Sequence, residues 1–409
     1  MSRERALYAV LLVGVLNGLG YGLVFPVAAL YGEQAGLGPA AITALIALHP
    51  LMRLLTGGLW GRLADRYGRR PVLLVGVALQ ACGHLVFGLA GGPLGLGLGR
   101  VLTGLGSGEA VAALAAVADL TSVEERAKGL GMLRAATGIG MLLGPILGGA
   151  LGLGGLSWPG IAAALVCAIG VGIVAAWFPE TRLRDAPPAA TARPATPATP
   201  LPVPRAALVV AASAAAALAM AECIVPLAVE HVLVPTLTLP QGVLPHQAAL
   251  ALTVGVILAW GLTIAVFDGA LSAKVVGRLG ETRTLRLGLL MWAGCFALTP
   301  PVYALGIVPG GLAVALTAIP VSLTSVGLAT WISRTAGPAE QGRASGAAQS
   351  SLALGEFIGP AVAGTLYTRW YGLPYEAGAV LLVGAAIAAM TLRPVSGSRV
   401  NPQAAGSPG

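Results

Sequence analysis

The sequence predicts an all-α polytopic membrane protein, with twelve transmembrane helices in two pseudo-symmetric six-helix bundles. Three observations predict it. Twelve apolar segments are each long enough to cross a bilayer at about 1.5 Å per residue. A proline-rich stretch divides them six and six. Motifs in the first six return in the second six at a nearly constant offset. The composition agrees, with 56% hydrophobic and only 10% charged residues, where a soluble domain carries about 25% charged.

The segments lie at approximately 6–30, 40–61, 71–90, 93–118, 129–152, 158–178, 206–233, 248–270, 284–306, 308–332, 344–366 and 375–392. The first follows Met1 to Arg5 and runs on to Leu30, too long for a cleaved leader, so we expect it to be the first helix. The second and third flank the basic turn Gly61-Arg-Leu-Ala-Asp65-Arg66-Tyr-Gly68-Arg69-Arg70-Pro71. A short cationic turn between two apolar runs reads as a tight cytoplasmic loop. After the sixth segment, 181–204 holds seven prolines, the composition of a disordered or polyproline linker. The expected domains are therefore 1–180, a six-helix bundle; 181–204, a cytoplasmic linker; 205–393, the second bundle; and 394–409, a disordered tail.

Orientation follows from the basic residues. With the N-terminus inside, all 24 Lys and Arg fall on cytoplasmic loops, ends or margins except Arg53, Arg100 and Arg369. That bias sets both termini in the cytoplasm and accounts for the net charge of +8 without nucleic acid. Cys82, Cys167, Cys223 and Cys295 all lie in apolar runs. They read as small buried hydrophobes, with no metal spacing and no disulfide framework. The glycines around Arg100 lack nucleotide-loop spacing, a Walker lysine and a preceding strand. We expect no cofactor, no metal, no catalytic cluster and no ATP use, and coupling to an ion gradient instead.

Internal repetition comes next. Gly140-x-x-x-Gly144-Pro145-x-x-x-Gly149 recurs as Gly355-x-x-x-Gly359-Pro360-x-x-x-Gly364, an offset of 215. Glu125, Lys128 and Gly131 answer to Glu340, Arg343 and Gly346 at the same offset. The basic turn recurs, degenerate, as 273–280 at an offset of 212, with Gly277 replacing the aspartate. One register across three motifs marks a duplicated six-helix unit.

The turn G-x-L-A-D-R-x-G-R-R at 61–70, the helix-5 run at 140–149 and Phe178-Pro179-Glu180-Thr181 together resemble the major facilitator superfamily. The likeness is to its drug/proton antiporter branch, including Gram-positive multidrug pumps and tetracycline exporters. It implies two bundles rocking about a midplane site, with export of a small amphipathic compound in exchange for protons. It implies a plasma (inner) membrane location, and we expect a monomer. It casts Asp65, Arg66, Arg69 and Arg126 as a cytoplasmic gate, with Asp65 facing the start of segment 11. It casts Gly140, Gly144, Pro145 and Gly149 as an antiporter-type motif. The alternatives are an uptake symporter for a sugar or organic anion, which the Gly-Pro motif argues against, and a membrane receptor or enzyme.

The sequence departs from that branch in places. Asn17 and Gly83 stand where tetracycline exporters carry aspartates, and Arg53 where glutamine is usual. The helix-10 aspartate of the multidrug pumps has only Thr324 or Ser325 in its region. Glu222 falls where those pumps carry a helix-7 glutamate.

Charges at mid-membrane are costly, about 2.5–3.5 kcal/mol each at a helix centre, so they should face a cavity or a partner. His49, Arg53, Glu109, Glu222 and Glu356 qualify by depth, with Arg100 somewhat further out. Arg53 and Glu109 make a candidate structural ion pair within the first bundle. Proton coupling is expected from Glu222 first, then Glu356, Glu109 and Arg100. Glu222 leads because its run holds no cation, and loss of water disfavours a lone carboxylate. Substrate contacts are expected from Asn17, Tyr21, His49, Arg53, Trp331 and Phe357.

Overall fold

The computed structural model describes residues 3–122, 125–181, 203–336 and 341–394. Most of the expected linker and tail lie outside the described residues. Among the described residues all regular structure is helical. Eleven helices are long and apolar enough to cross a membrane: α1 (Arg3–Gln34), α2 (Pro39–Tyr67), α3 (Arg69–Gly88), α4 (Pro93–Leu120), α5 (Lys128–Leu153), α6 (Trp158–Trp177), α7 (Arg205–Thr236), α8 (Pro245–Phe267), α9 (Glu281–Tyr303), α10 (Ile307–Thr335) and α12 (Leu373–Met390). Between the last two lies α11 (Gln341–Tyr367), 27 residues long. Its first half carries Gln341, Arg343, Ser345, Gln349, Ser350 and Ser351, a polar composition for a membrane helix. These twelve helices form two bundles of six, α1–α6 and α7–α12.

Local chemistry sets the helix ends. Proline opens α2, α4, α6, α8 and α12 at the first or second position, where its missing N–H costs nothing. The turns after α2 and before α9 hinge on Gly68 (φ 103°) and Gly280 (φ 79°). Both lie in the left-handed region that glycine adopts without strain, and they are 212 residues apart, the register of the repeat. Several spans are interrupted. α1 breaks at 25–27, beside Pro26, and α4 breaks at Ser107–Gly108. α10 breaks at Thr317, between Leu316 and Ala318. α7 ends in a π-turn, Val229–Leu233. α8 continues through another, Asp268–Ser272, into Ala273–Leu279. The eighth segment thus runs further than its apolar stretch implied.

The Gly-Pro repeats explain how the bundles are built. A Cβ on Gly140 would lie 2.1 Å from the Val15 carbonyl oxygen, and one on Gly144 2.5 Å from the Gly22 Cα. α5 therefore lies directly on α1. In the second bundle, a Cβ on Gly355 would lie 2.2 Å from the Ala212 oxygen, so α11 lies on α7 in the same way. The last glycine of each motif does something else. Gly149 meets Val254 of α8, and Gly364 meets Pro39 and Thr43 of α2. Both contacts cross from one bundle to the other.

Candidate functional site

The bundles meet along two lines, α5 against α8 and α2 against α11. At the end of the molecule far from the N-terminus the seam is closed. Gly152 packs on Leu250, and the Gly364 N–H donates to Thr43 Oγ1 at 3.0 Å. Beside it, His231 Nε2 lies 2.7 Å from Glu33 Oε1 and its Nδ1 lies 3.2 Å from the Tyr367 hydroxyl. Glu33 closes α1, His231 lies near the end of α7, and Tyr367 ends α11. Sequence reasoning missed this cluster, because charges at span ends read as solvated.

Midway along the seam lies a polar constellation. Asn17 and Tyr21 are one helical turn apart on α1, as are His49 and Arg53 on α2. Each pair therefore shares a face. His49 is 7% exposed, with Nδ1 3.3 Å from Thr103 Oγ1 and Nε2 3.3 Å from Ser107 Oγ. Its ring centroid is 5.3 Å from that of Tyr21. Glycine admits this approach: a Cβ on Gly104 would lie 2.5 Å from the His49 oxygen. Arg100 is buried next to the Tyr21 hydroxyl. Glu109 is also buried, at the first position after the break in α4, and Asn17 Nδ2 donates to its Oε1.

Arg53 does not pair with Glu109, the partner that shared bundle membership favoured. It forms an ion pair with Glu356 of α11. Sequence proximity carries no information on which face of α2 Arg53 occupies, and that face is turned to the second bundle. Glu356 therefore lies at the seam, while its neighbour Gly355 packs on α7. Phe357, the next residue, is half-buried. Glu222, on α7, is half-buried and makes no hydrogen bond or ion pair among the described residues. Trp331 is not part of this group. Its indole N–H donates to the Arg393 carbonyl, 3.0 Å away, just beyond α12 at the terminal end of the second bundle. There it packs as a buried structural aromatic, 3% exposed.

Arg69 and Arg70 of the basic turn bond to residues of their own bundle. Arg69 Nη1 donates to Asp65 Oδ1 at 2.9 Å, and its Nε donates to Asp119 Oδ2 at 3.1 Å. The backbone N–H groups of Arg69 and Arg70 donate to Glu180 at 2.8 and 3.1 Å. That places the acidic residue after Phe178-Pro179 at the start of α3, where a helix N-terminus favours negative charge. Arg66 stacks over Tyr67, and Arg126 donates to the Ala118 carbonyl. Asp65 pairs with Arg69, and the residues leading into α11, where its expected contact falls, lie outside the described residues.

This arrangement, twelve helices with a charged midplane between two repeats, has known relatives. A family model described as Major Facilitator Superfamily matches residues 10–316. The chain belongs to the Major Facilitator Superfamily. That family is one of multi-pass membrane transporters, not of enzymes. Within the superfamily it is 25% identical over 399 residues to multidrug resistance protein 2 of Bacillus subtilis, covering 94% of each chain. It is 33% identical over 175 residues to the class B tetracycline resistance protein of Escherichia coli, covering 42% of this chain and 44% of that protein. It is 30% identical over 186 residues to the class H protein of Pasteurella multocida, covering 45% and 46%. The chain thus matches under half the length of those tetracycline resistance proteins. Among solved structures, a D-xylose–proton symporter superposes with a TM-score of 0.75 at 16% identity, covering 95% of this chain and 98% of that one. A human organic anion transporter superposes at 0.68 and 20%, covering 95% and 100%. Those likenesses show the major facilitator fold.

Proposed function

We propose that this chain exports small amphipathic compounds in exchange for protons. The bundles, 1–180 and 205–393, rock about the midplane site so that it faces each side of the inner membrane in turn, with both termini cytoplasmic and the monomer as the working unit. In this reading the closed far-end seam belongs to the cytoplasm-facing state. The Asp65, Arg66, Arg69 and Arg126 turn then engages the other bundle when the site faces outward. The multidrug and tetracycline resistance relatives support export.

The observation that carries the coupling is the unequal pairing of three midplane carboxylates. Glu109 is held by Asn17 and Glu356 by Arg53, while Glu222 has neither hydrogen bond nor ion pair among the described residues. A carboxylate without a fixed partner is the one free to exchange a proton for a substrate. Glu222 is therefore the proposed carrier, and Glu356, Glu109 and Arg100 support it. Asn17, Tyr21, His49, Arg53 and Phe357 line the substrate site.

The test uses everted membrane vesicles holding the protein, energised to an acid interior. Adding an exported compound should release protons from the lumen. A symporter would instead move the compound and the proton in the same direction, and that result would overturn the export reading.

A further inference from the structure

α8 carries an acidic side chain outside the charges described so far. Three residues of α8 mark its face toward the first bundle. Leu250 packs on Gly152, Val254 on Gly149, and Gly261 on Leu142, all three on α5. Their spacings of four and seven residues keep one helical face. Seven residues beyond Gly261 stands Asp268, on the same face, one step further from the closed end of the seam. It is exposed.

Two local features hold it there. Asp268 opens the π-turn Asp268–Ser272, a helix irregularity that concentrates at functional sites. The hydroxyl of Ser322, a buried residue of α10, donates to Asp268 Oδ1. One carboxylate oxygen is thereby fixed and the other is left to a ligand. Among the described residues no cation pairs with Asp268, and a carboxylate on a membrane helix is costly unless it meets water or a cationic guest. The basic residues of the seam, His49, Arg53 and Arg100, belong to the first bundle, while the second bundle contributes Glu222, Glu356 and, nearer the end of its helix, Asp268.

We propose that Asp268, oriented by Ser322, is a cation subsite on the second bundle that binds the positively charged group of the transported compound. The subsite rests on the transport reading but is tested by binding. The probes are ethidium, a monovalent organic cation, and anilinonaphthalene sulfonate, an anion, each titrated by fluorescence anisotropy onto the purified full chain in nanodiscs. Asp268→Asn should weaken ethidium binding about tenfold and leave the anion within twofold. Asp268→Glu should restore ethidium binding to within threefold. Ser322→Ala should weaken it by a smaller factor, because the carboxylate remains but is no longer held.

A cysteine at position 268, in a background without the four native cysteines, should react with a water-soluble cationic thiol reagent. Ethidium should slow that reaction. The proposal is overturned if Asp268→Asn changes both dyes equally, if the wild-type chain binds no ethidium, or if the cysteine is unreactive. Arg134 is an exposed cation of α5, the helix this face of α8 packs on; if Arg134→Ala reproduces the Asp268→Asn loss, Asp268 is a latch onto α5 and the proposal is equally overturned. Failure of proton release in everted vesicles, with the binding results intact, would instead count against export.

Discussion

Removing the charge of Glu356 should loosen the far-end seam. Arg53 and Glu356 link α2 to α11 across the two bundles. Both side chains are more than a third exposed, at 37% and 39%, so water screens the pair. A unit charge pair at contact is worth about 1 kcal/mol in water and about 4 at an effective dielectric of 20. Discounting for that water access leaves ~1–2 kcal/mol. The polar seam contacts, Thr43 with Gly364 and Glu33 with His231, remain in the variant. Glu356→Gln should therefore shift the equilibrium between far-end-closed and far-end-open states by about 5- to 30-fold.

The assay places spin labels at Gln34 and Thr368, exposed residues on either side of the seam, in a background without native cysteines. Pulsed electron–electron distance measurement should give a short-distance population in the parent and a larger long-distance population in Glu356→Gln. The double variant Arg53→Gln/Glu356→Gln should open the seam no more than the worse single variant, since both lose the same interaction. Unchanged distances in Glu356→Gln, or additive opening in the double variant, would refute the reasoning.

Three further outcomes follow. Gly140→Val sets side-chain carbons against the Val15 carbonyl and should lower stability by about 1–3 kcal/mol. Gly131→Val, whose Cβ position is open, should be nearly neutral, and thermal unfolding in detergent compares them. Asn17→Ala removes the Asn17 donor from buried Glu109 and should cost about 1–3 kcal/mol, read as a lower midpoint than Glu109→Gln in the same scan. Asp65→Asn should slow transport in proteoliposomes while protein levels in the membrane hold, and normal turnover would remove the turn from the gating cycle.

The fold was legible because the bilayer imposes it. Apolar length and one repeat offset are each properties of the linear sequence. The Gly-Pro run was legible only in part. Gly140 and Gly144 lie one turn apart and do pack on α1. Gly149 is nine residues from Gly140, which at 3.6 residues per turn is about half a turn away, so it faces α8 instead. The site was less legible still, because depth in the membrane can be counted along the chain and azimuth cannot. Depth placed Glu109, Arg53 and Glu356 at one level. It could not say that Arg53 turns to the second bundle while Glu109 turns to Asn17. Trp331 failed for another reason: nothing in its own segment indicates that Arg393, 62 residues on, supplies its acceptor. Asp268 escaped notice because it stands at the edge of its apolar run, where a carboxylate reads as a solvated helix end.

The central claim is that a carboxylate without a fixed partner exchanges its proton for substrate. Glu222→Gln tests it most directly. Purified protein is placed in proteoliposomes with a pH-sensitive dye in the lumen, and proton flux is driven by an imposed gradient of an exported compound. The account predicts that the variant still binds the compound but no longer moves protons against it. Wild-type rate and stoichiometry in Glu222→Gln would contradict it, and the proton would then have to travel on Glu356.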